Sequence, residues 1–202
     1  MRDGNEWELF DARGRRKYLT LAERARFKAA AEAAPLPHRD FALTLHYTGC
    51  RISEALALTP DHIDVAEGHL VIRSLKKRRR TQFRAAPAPE MLLAALPVSA
   101  ASSTERLWPW GRTTGWRIVK ELMAAAEISG LQASPKGIRH GFGVAAALAA
   151  VPPTLIQRWM GHARLETTGV YLNVFGAEER QLANRLWDFE KEQNRPHNLK
   201  RS

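Results

Sequence analysis

The run Val144 to Val151 (VAAALAAV), stopped by Pro152-Pro153, limits the possible folds of this chain more than any other stretch. A helix that is apolar all round has no face to offer water, so the run suggests burial on all sides, with other elements packed around it. Ser134-Pro135 opens this helix, and Thr154 caps the next one, TLIQRWMG. Upstream, Thr20 and Glu23 form a capping box that starts a helix limited by Pro35. A second helix fits about 37 to 48, with Phe41, Ala42 and Leu45 on one face, and Gly49 supplies the positive φ of its end. A third runs from Ile52 to Leu58, before Pro60.

Gly68 to Ser74 and Gln82 to Pro87 are extended in character and flank LKKRRRT, which predicts a β-hairpin with a basic tip. Further helices are expected from Pro89 to Leu96, from Thr114 to about Ala126, and from Ala177 to Trp187, with Leu182 and Leu186 on one stripe of the last. Residues 1–17 show no helical period and are expected to be a flexible arm or remnant, residues 18–187 one domain, and residues 188–202 a polar tail. The expected fold class is mainly α with a small antiparallel β-sheet, α+β.

A hydrophobic share of 45% in 202 residues can bury a core. Lys and Arg number 31 against 21 Asp and Glu, a net charge of +10, which makes a polyanion such as nucleic acid a natural partner. The single cysteine, Cys50, excludes a disulfide framework and any Cys-rich zinc module, and fits a reducing interior. No apolar run reaches the roughly 20 residues of a membrane span, and the N-terminus lacks the apolar core of a signal peptide. A cytoplasmic location with no membrane partner is expected.

Four segments carry residues able to do chemistry. In TGCRISEAL, Arg51 and Glu54 sit three apart on one helical face, as a surface ion pair or as something more. The hairpin tip holds Lys76, Lys77, Arg78, Arg79 and Arg80, a run that is commonly just solvated. In SPKGIRHGFG, Lys136, Arg139 and His140 take positions i, i+3 and i+4 near a helix N-terminus, an arrangement suited to phosphate or to ordinary first-turn pairing. In WMGHARLETTGVYLNV, His162 and Tyr171 read either as a helix end with an aromatic core residue, or as a nucleophile beside its activating group.

The four segments together, in this order, resemble the tyrosine recombinase (phage integrase) family. Its first box, TGxRISEALxL, is matched by TGCRISEALAL, and its later boxes, HxLRHxFA and LGHxxxxTTxxY, by KGIRHGFGVAA and MGHARLETTGVY. The likeness runs over roughly residues 18 to 187. It implies the fold of the family's catalytic domain, double-stranded DNA as partner, and a site-specific strand transferase that needs no metal or other cofactor. It implies that Arg51 and Arg139 clamp the scissile phosphate as paired guanidinium forks, that Lys76, with Lys77 as fallback, protonates the leaving 5′ oxygen, and that His162 hydrogen-bonds the phosphate or the attacking oxygen. Tyr171 would attack phosphorus and form a 3′-phosphotyrosyl link that another DNA end can reseal. Arg78, Arg79, Arg80 and His140 would contact DNA, and the C-terminal helix would dock on a neighbouring protomer.

Two departures stand out. Lys136 replaces the usual histidine of the family's His-x-x-Arg box and accepts a proton less readily. Only about 17 residues precede the catalytic pattern, where the family usually carries a helical DNA-clamping domain, so a short integrase or an excised catalytic domain is expected. Two rivals share these residues: a type IB topoisomerase, and a DNA-binding regulator that kept the fold.

Overall fold

The computed structural model describes residues 8–74, 82–97, 104–172, 180 and 183–189. Its elements run in the order α1 (Leu21–Glu32), α2 (Leu36–Thr48), α3 (Ile52–Ala55), β1 (Ile63–Asp64), β2 (His69–Ser74), β3 (Gln82–Pro87), α4 (Glu90–Ala95), α5 (Arg112–Ala125), α6 (Pro135–Leu148), α7 (Pro153–Met160) and α8 (Glu166–Gly169). Short 3-10 turns cover Pro60–His62 and Val170–Leu172, and residues 183–189 are again helical. The sheet has the order β1-β2-β3, all antiparallel, with Ile63 opposite Leu70, His69 opposite Pro87 and Ser74 opposite Gln82. The expected class, mainly helical with one small antiparallel sheet, is what folds.

Helix boundaries follow local chemistry. At α1 the Glu23 amide donates to Thr20 Oγ1 at 3.2 Å and the Thr20 amide to Glu23 Oε2 at 2.9 Å, closing the capping box. Thr20→Ala should therefore lower stability by about 1 kcal/mol, measured as a shift in the urea midpoint at unchanged slope. Gly49 ends α2 at φ 59°, and Gly161 ends α7 at φ 66°. α5 is capped three residues earlier than Thr114, at Gly111, and α7 starts from Pro152, so Thr154 lies inside the helix and not at its cap. A proline at the first helical position needs no amide partner, which suffices to open α7. α3 ends at Ala55, short of Leu58.

Two hydrophobic clusters form the core. The larger joins Phe27 of α1, Phe41 and Leu45 of α2, Leu70 and Ile72 of β2, Leu92 and Leu93 of α4, and Ile118, Val119 and Met123 of α5. The smaller joins Leu9, Tyr18, Val144, Ala147 and Leu148, Ile156, Met160 and Tyr171. Val144, Ala146, Ala147 and Leu148 are buried, but Ala145 and Val151 are half-buried and Ala149 and Ala150 are exposed, because α6 ends at Leu148; the apolar run is therefore not buried on all sides. From residue 8 onward the segment expected to be an arm is folded. Leu9 is 3% exposed, Phe10 bridges to Arg16, and the Asp11 carboxylate accepts from the amides of Arg13 and Arg15. Single apolar residues either side of a tight turn carry no periodicity, so nothing in the sequence marked them.

Candidate active site

Arg51 stands at the N-terminal cap of α3. Its Nη1 donates to Glu54 Oε1 at 2.8 Å and its amide to Glu54 Oε2 at 2.9 Å. The expected Arg51–Glu54 pair is thus made, with Glu54 buried and not on the surface. Arg139, on the second turn of α6 and 5% exposed, donates through Nη1 to Gly49 O and through Nη2 to Met160 O, both at 2.6 Å. One guanidinium thus ties the end of α2 to the end of α7. Burial first, then the nearby Arg51, lowers its pKa to about 10, which leaves it charged at neutral pH.

Two histidines flank the tyrosine. His162 follows Gly161, and its Nδ1 lies 2.9 Å from Thr168 Oγ1. His140 Nδ1 lies 3.2 Å from the Tyr171 hydroxyl. Burial, reinforced by Arg139 and Arg51, pushes His162 down to about 2, while burial, Lys136 and Arg139 push His140 down to about 3, so both rings are neutral at pH 7. The Tyr171 ring centroid is 6.0 Å from each imidazole, stacked on His162 and tilted to His140.

Tyr171 itself is fully buried. Burial raises its pKa to about 12, against the opposing pull of Arg139 and Arg51. Its ring fits only because residue 143 is glycine: a Cβ there would lie 2.6 Å from Cε1, Cε2 and Cζ of the ring. Gly143→Ala should displace the ring and bring the Tyr171 pKa about two units down, toward the ordinary value near 10. Ultraviolet titration of the phenolate against Tyr171→Phe reads this directly, and an unchanged titration of Tyr171 in the alanine variant would refute it.

Two cavities meet at Arg51. One, of about 610 Å³, is lined by Arg51, Arg84, Arg158, His162 and Arg164, among others. The second, of about 250 Å³, is lined by Arg51, Arg112, Trp116, Lys136, Arg139 and His140. No carboxylate lines either among the described residues, so both favour an anion. Tyr171 lines neither. Of the residues singled out in the sequence, Arg51 lines both cavities, His162 the larger, and Lys136, Arg139 and His140 the smaller, while Tyr171 packs against the two histidines. Lys76, Lys77, Arg78, Arg79 and Arg80 lie outside the described residues. Sequence reasoning missed Arg84, Arg158 and Arg164, which sit singly and not in a basic run, and Thr168, half of a Thr-Thr pair whose partner could not be told. No group of three His, Cys, Asp or Glu side chains placed to hold a metal occurs among the described residues.

Comparison with known proteins gives the family and the fold. The sequence profile of the phage integrase family matches residues 17–178. The chain belongs to that family, the tyrosine recombinases. It is 30% identical over 151 residues to tyrosine recombinase XerA of Pyrococcus furiosus, which takes in 67% of this chain and 50% of that protein. It is 29% identical over 198 residues to a resolvase of Escherichia coli K12, with 80% of this chain and 73% of that one covered. The chain spans about half the length of the XerA and XerD recombinases it matches. Among solved structures, the XerA recombinase superposes with a TM-score of 0.70 at 22% identity, covering 83% of this chain and 64% of that one. The catalytic domain of bacteriophage HP1 integrase superposes at 0.59 and 20% identity, covering 83% and 93%. A XerH site-specific recombinase, solved with its difH substrate after cleavage, gives 0.68 at 17% identity, covering 85% and 53%.

Proposed function

We propose that this chain cuts and rejoins double-stranded DNA as a site-specific recombinase, with Tyr171 as nucleophile. The observation that carries the proposal is the pair of carboxylate-free, cation-lined cavities meeting at Arg51, with a tyrosine held between two neutral histidines directly behind them. A phosphodiester under attack gathers negative charge on its equatorial oxygens, and Arg51 and Arg139 are the forks that would take it up. In the reaction the Oη–P bond forms and the P–O5′ bond breaks. The tyrosine proton is replaced on balance by one delivered to O5′, from Lys76 or Lys77 of the hairpin tip. Lys136 and His140 would donate to the phosphate, and Arg78, Arg79 and Arg80 would follow the backbone. His162, neutral and held by Thr168, can hydrogen-bond phosphate or attacking oxygen without repelling the approaching phenol.

Tyr171 has to leave its pocket to reach a phosphate on the Arg51 side. In water a phenol pays near 4 kcal/mol to ionise at pH 7, and in the buried pose the figure rises to about 7 kcal/mol, so the buried pose is a resting one. The cytoplasm is the proposed place of action. Exposed Leu186 and Trp187, on the helical residues 183–189, support docking of this helix on a second copy bound to the same DNA.

The test is a nicked suicide duplex carrying a site cut by the chain. A denaturation-resistant protein–DNA complex is expected, with the phosphate mapped by peptide mass to Tyr171. Salt-sensitive binding without such a complex would instead identify a regulator. Relaxation of supercoiled plasmid with no site requirement would identify a topoisomerase.

A further inference from the structure

Arg84, on β3 opposite Ile72, is 7% exposed at its side chain and lies among the lining residues of the larger cavity. Its guanidinium makes three bonds. Nη2 donates to Glu54 Oε2 at 2.7 Å, Nη1 reaches Glu54 Oε1 at 3.4 Å, and Nε donates to Trp159 O at 2.8 Å. Glu54, 1% exposed, accepts from Arg51 as well. The result is a line of charges, Arg84, Glu54, Arg51, in which one buried carboxylate is shared by two guanidinium groups. The same fork underlies the turn that launches His162, since a Cβ at Gly161 would lie 2.8 to 3.0 Å from Nη1, Cζ and Nε of Arg84.

A buried carboxylate is tolerated only when paired. Burial alone would raise the pKa of Glu54; Arg84 first, and Arg51 after it, reverse this and hold the carboxyl below its usual range. The trio carries two positive charges and one negative, a net +1 beneath the place where an anion would sit. With Arg84 removed, Glu54 would draw wholly on Arg51 and cancel it, and Trp159 would lose its tether.

We infer that Arg84 is a positioning residue of the cleavage reaction: it shares Glu54 with Arg51 and pins the last turn of α7, so that Arg51 and His162 meet the same phosphate. The inference rests on the reading of Tyr171 as a DNA-cleaving nucleophile. Arg84 acts through Glu54 and the α7 turn and does not itself contact DNA.

The test compares wild type with R84K, R84M and the charge-balanced double variant R84M/E54Q, each folded by circular dichroism, in single-turnover adduct formation on the nicked duplex and in salt-dependent DNA binding. R84K keeps the charge but loses the fork, and is expected to slow adduct formation at least about 30-fold while DNA affinity changes less than about threefold. R84M is expected to react least of the folded variants. R84M/E54Q, which removes the unbalanced carboxylate along with its partner, should recover at least about tenfold over R84M, with the salt slope of binding unchanged. R84K matching wild type overturns the inference alone, as does a double variant no faster than R84M. A salt slope lower by about 0.9 in the double variant would make Arg84 a direct phosphate contact and also overturn it. Wild type forming no adduct overturns the functional reading and this inference with it.

Discussion

Tyr171→Phe is expected to remain folded, to bind duplex DNA as wild type does, and to form no covalent complex with it. The substitution removes one atom, Oη, whose single described partner is Nδ1 of His140. Leaving that nitrogen buried without the hydroxyl should cost about 1 to 2 kcal/mol, small against a domain's total and visible as a modest drop in thermal midpoint. The chemical loss is complete by comparison, because no other phenol can substitute. Tyr18 packs edge-on against Phe10 and Tyr47 against His46, so neither stands against His140 and His162 as Tyr171 does. A denaturing gel of the nicked duplex after incubation, alongside thermal unfolding, separates the two effects. Covalent complex persisting in the phenylalanine variant would place the nucleophile elsewhere and end the assignment.

Acidification from pH 6 to pH 5 is expected to remove about 4 kcal/mol of folding stability. Three buried histidines are responsible. His46 is pushed down to about 3 by burial and then by Arg24 and Lys28, and His140 and His162 to about 3 and about 2 by the causes given above. Each is neutral in the fold but takes up a proton near pH 6.5 once the chain unfolds. The unfolded state therefore binds more protons across this window, and stability falls with pH by up to about 1.4 kcal/mol per unit for each ring. The contribution is whole above 6.5 and is lost progressively below it, down to the folded values near 3. Carboxylates do not confuse the measurement. Glu23, for which burial is outweighed by Arg16 and the Thr20 amide, titrates at about 2, so its contribution is intact above 4.5 and disappears only below that. Urea unfolding at pH 7, 6 and 5 reads the slope, and His46→Gln should remove about a third of it. Stability that stays level from pH 7 to 5 would mean that these rings are charged, or open to water, in the folded protein.

Much of the fold was legible because its signals are local. Thr20 with Glu23, Pro35, Gly49, Ser134-Pro135 and Pro152-Pro153 act on their own backbone, and each lies within about one turn of the helix end it marks, though α1 stops at Glu32 and α6 at Leu148, ahead of their prolines. β1 was not legible, since two residues set no period, and neither was the packing of Leu9, whose partners lie far along the chain. The candidate site divides in the same way. Arg51, Arg139, His162 and Tyr171 stood out through their order and their neighbours, and the first three, with Lys136 and His140, line the two cavities that meet at Arg51. What no spacing could show is that Tyr171 lies sealed over Gly143, a matter of which element crosses which. Arg84 was equally silent, because its meaning comes from Glu54 and Trp159, which only the folded sheet brings near.

Leu9 and Tyr18 belong to the same small cluster as Tyr171, and Leu19 is bonded through its amide to Gly137 O at the start of α6. Trimming the leading residues past Leu9, or tethering a bulky tag there, would thus loosen the cluster in which Tyr171 is packed.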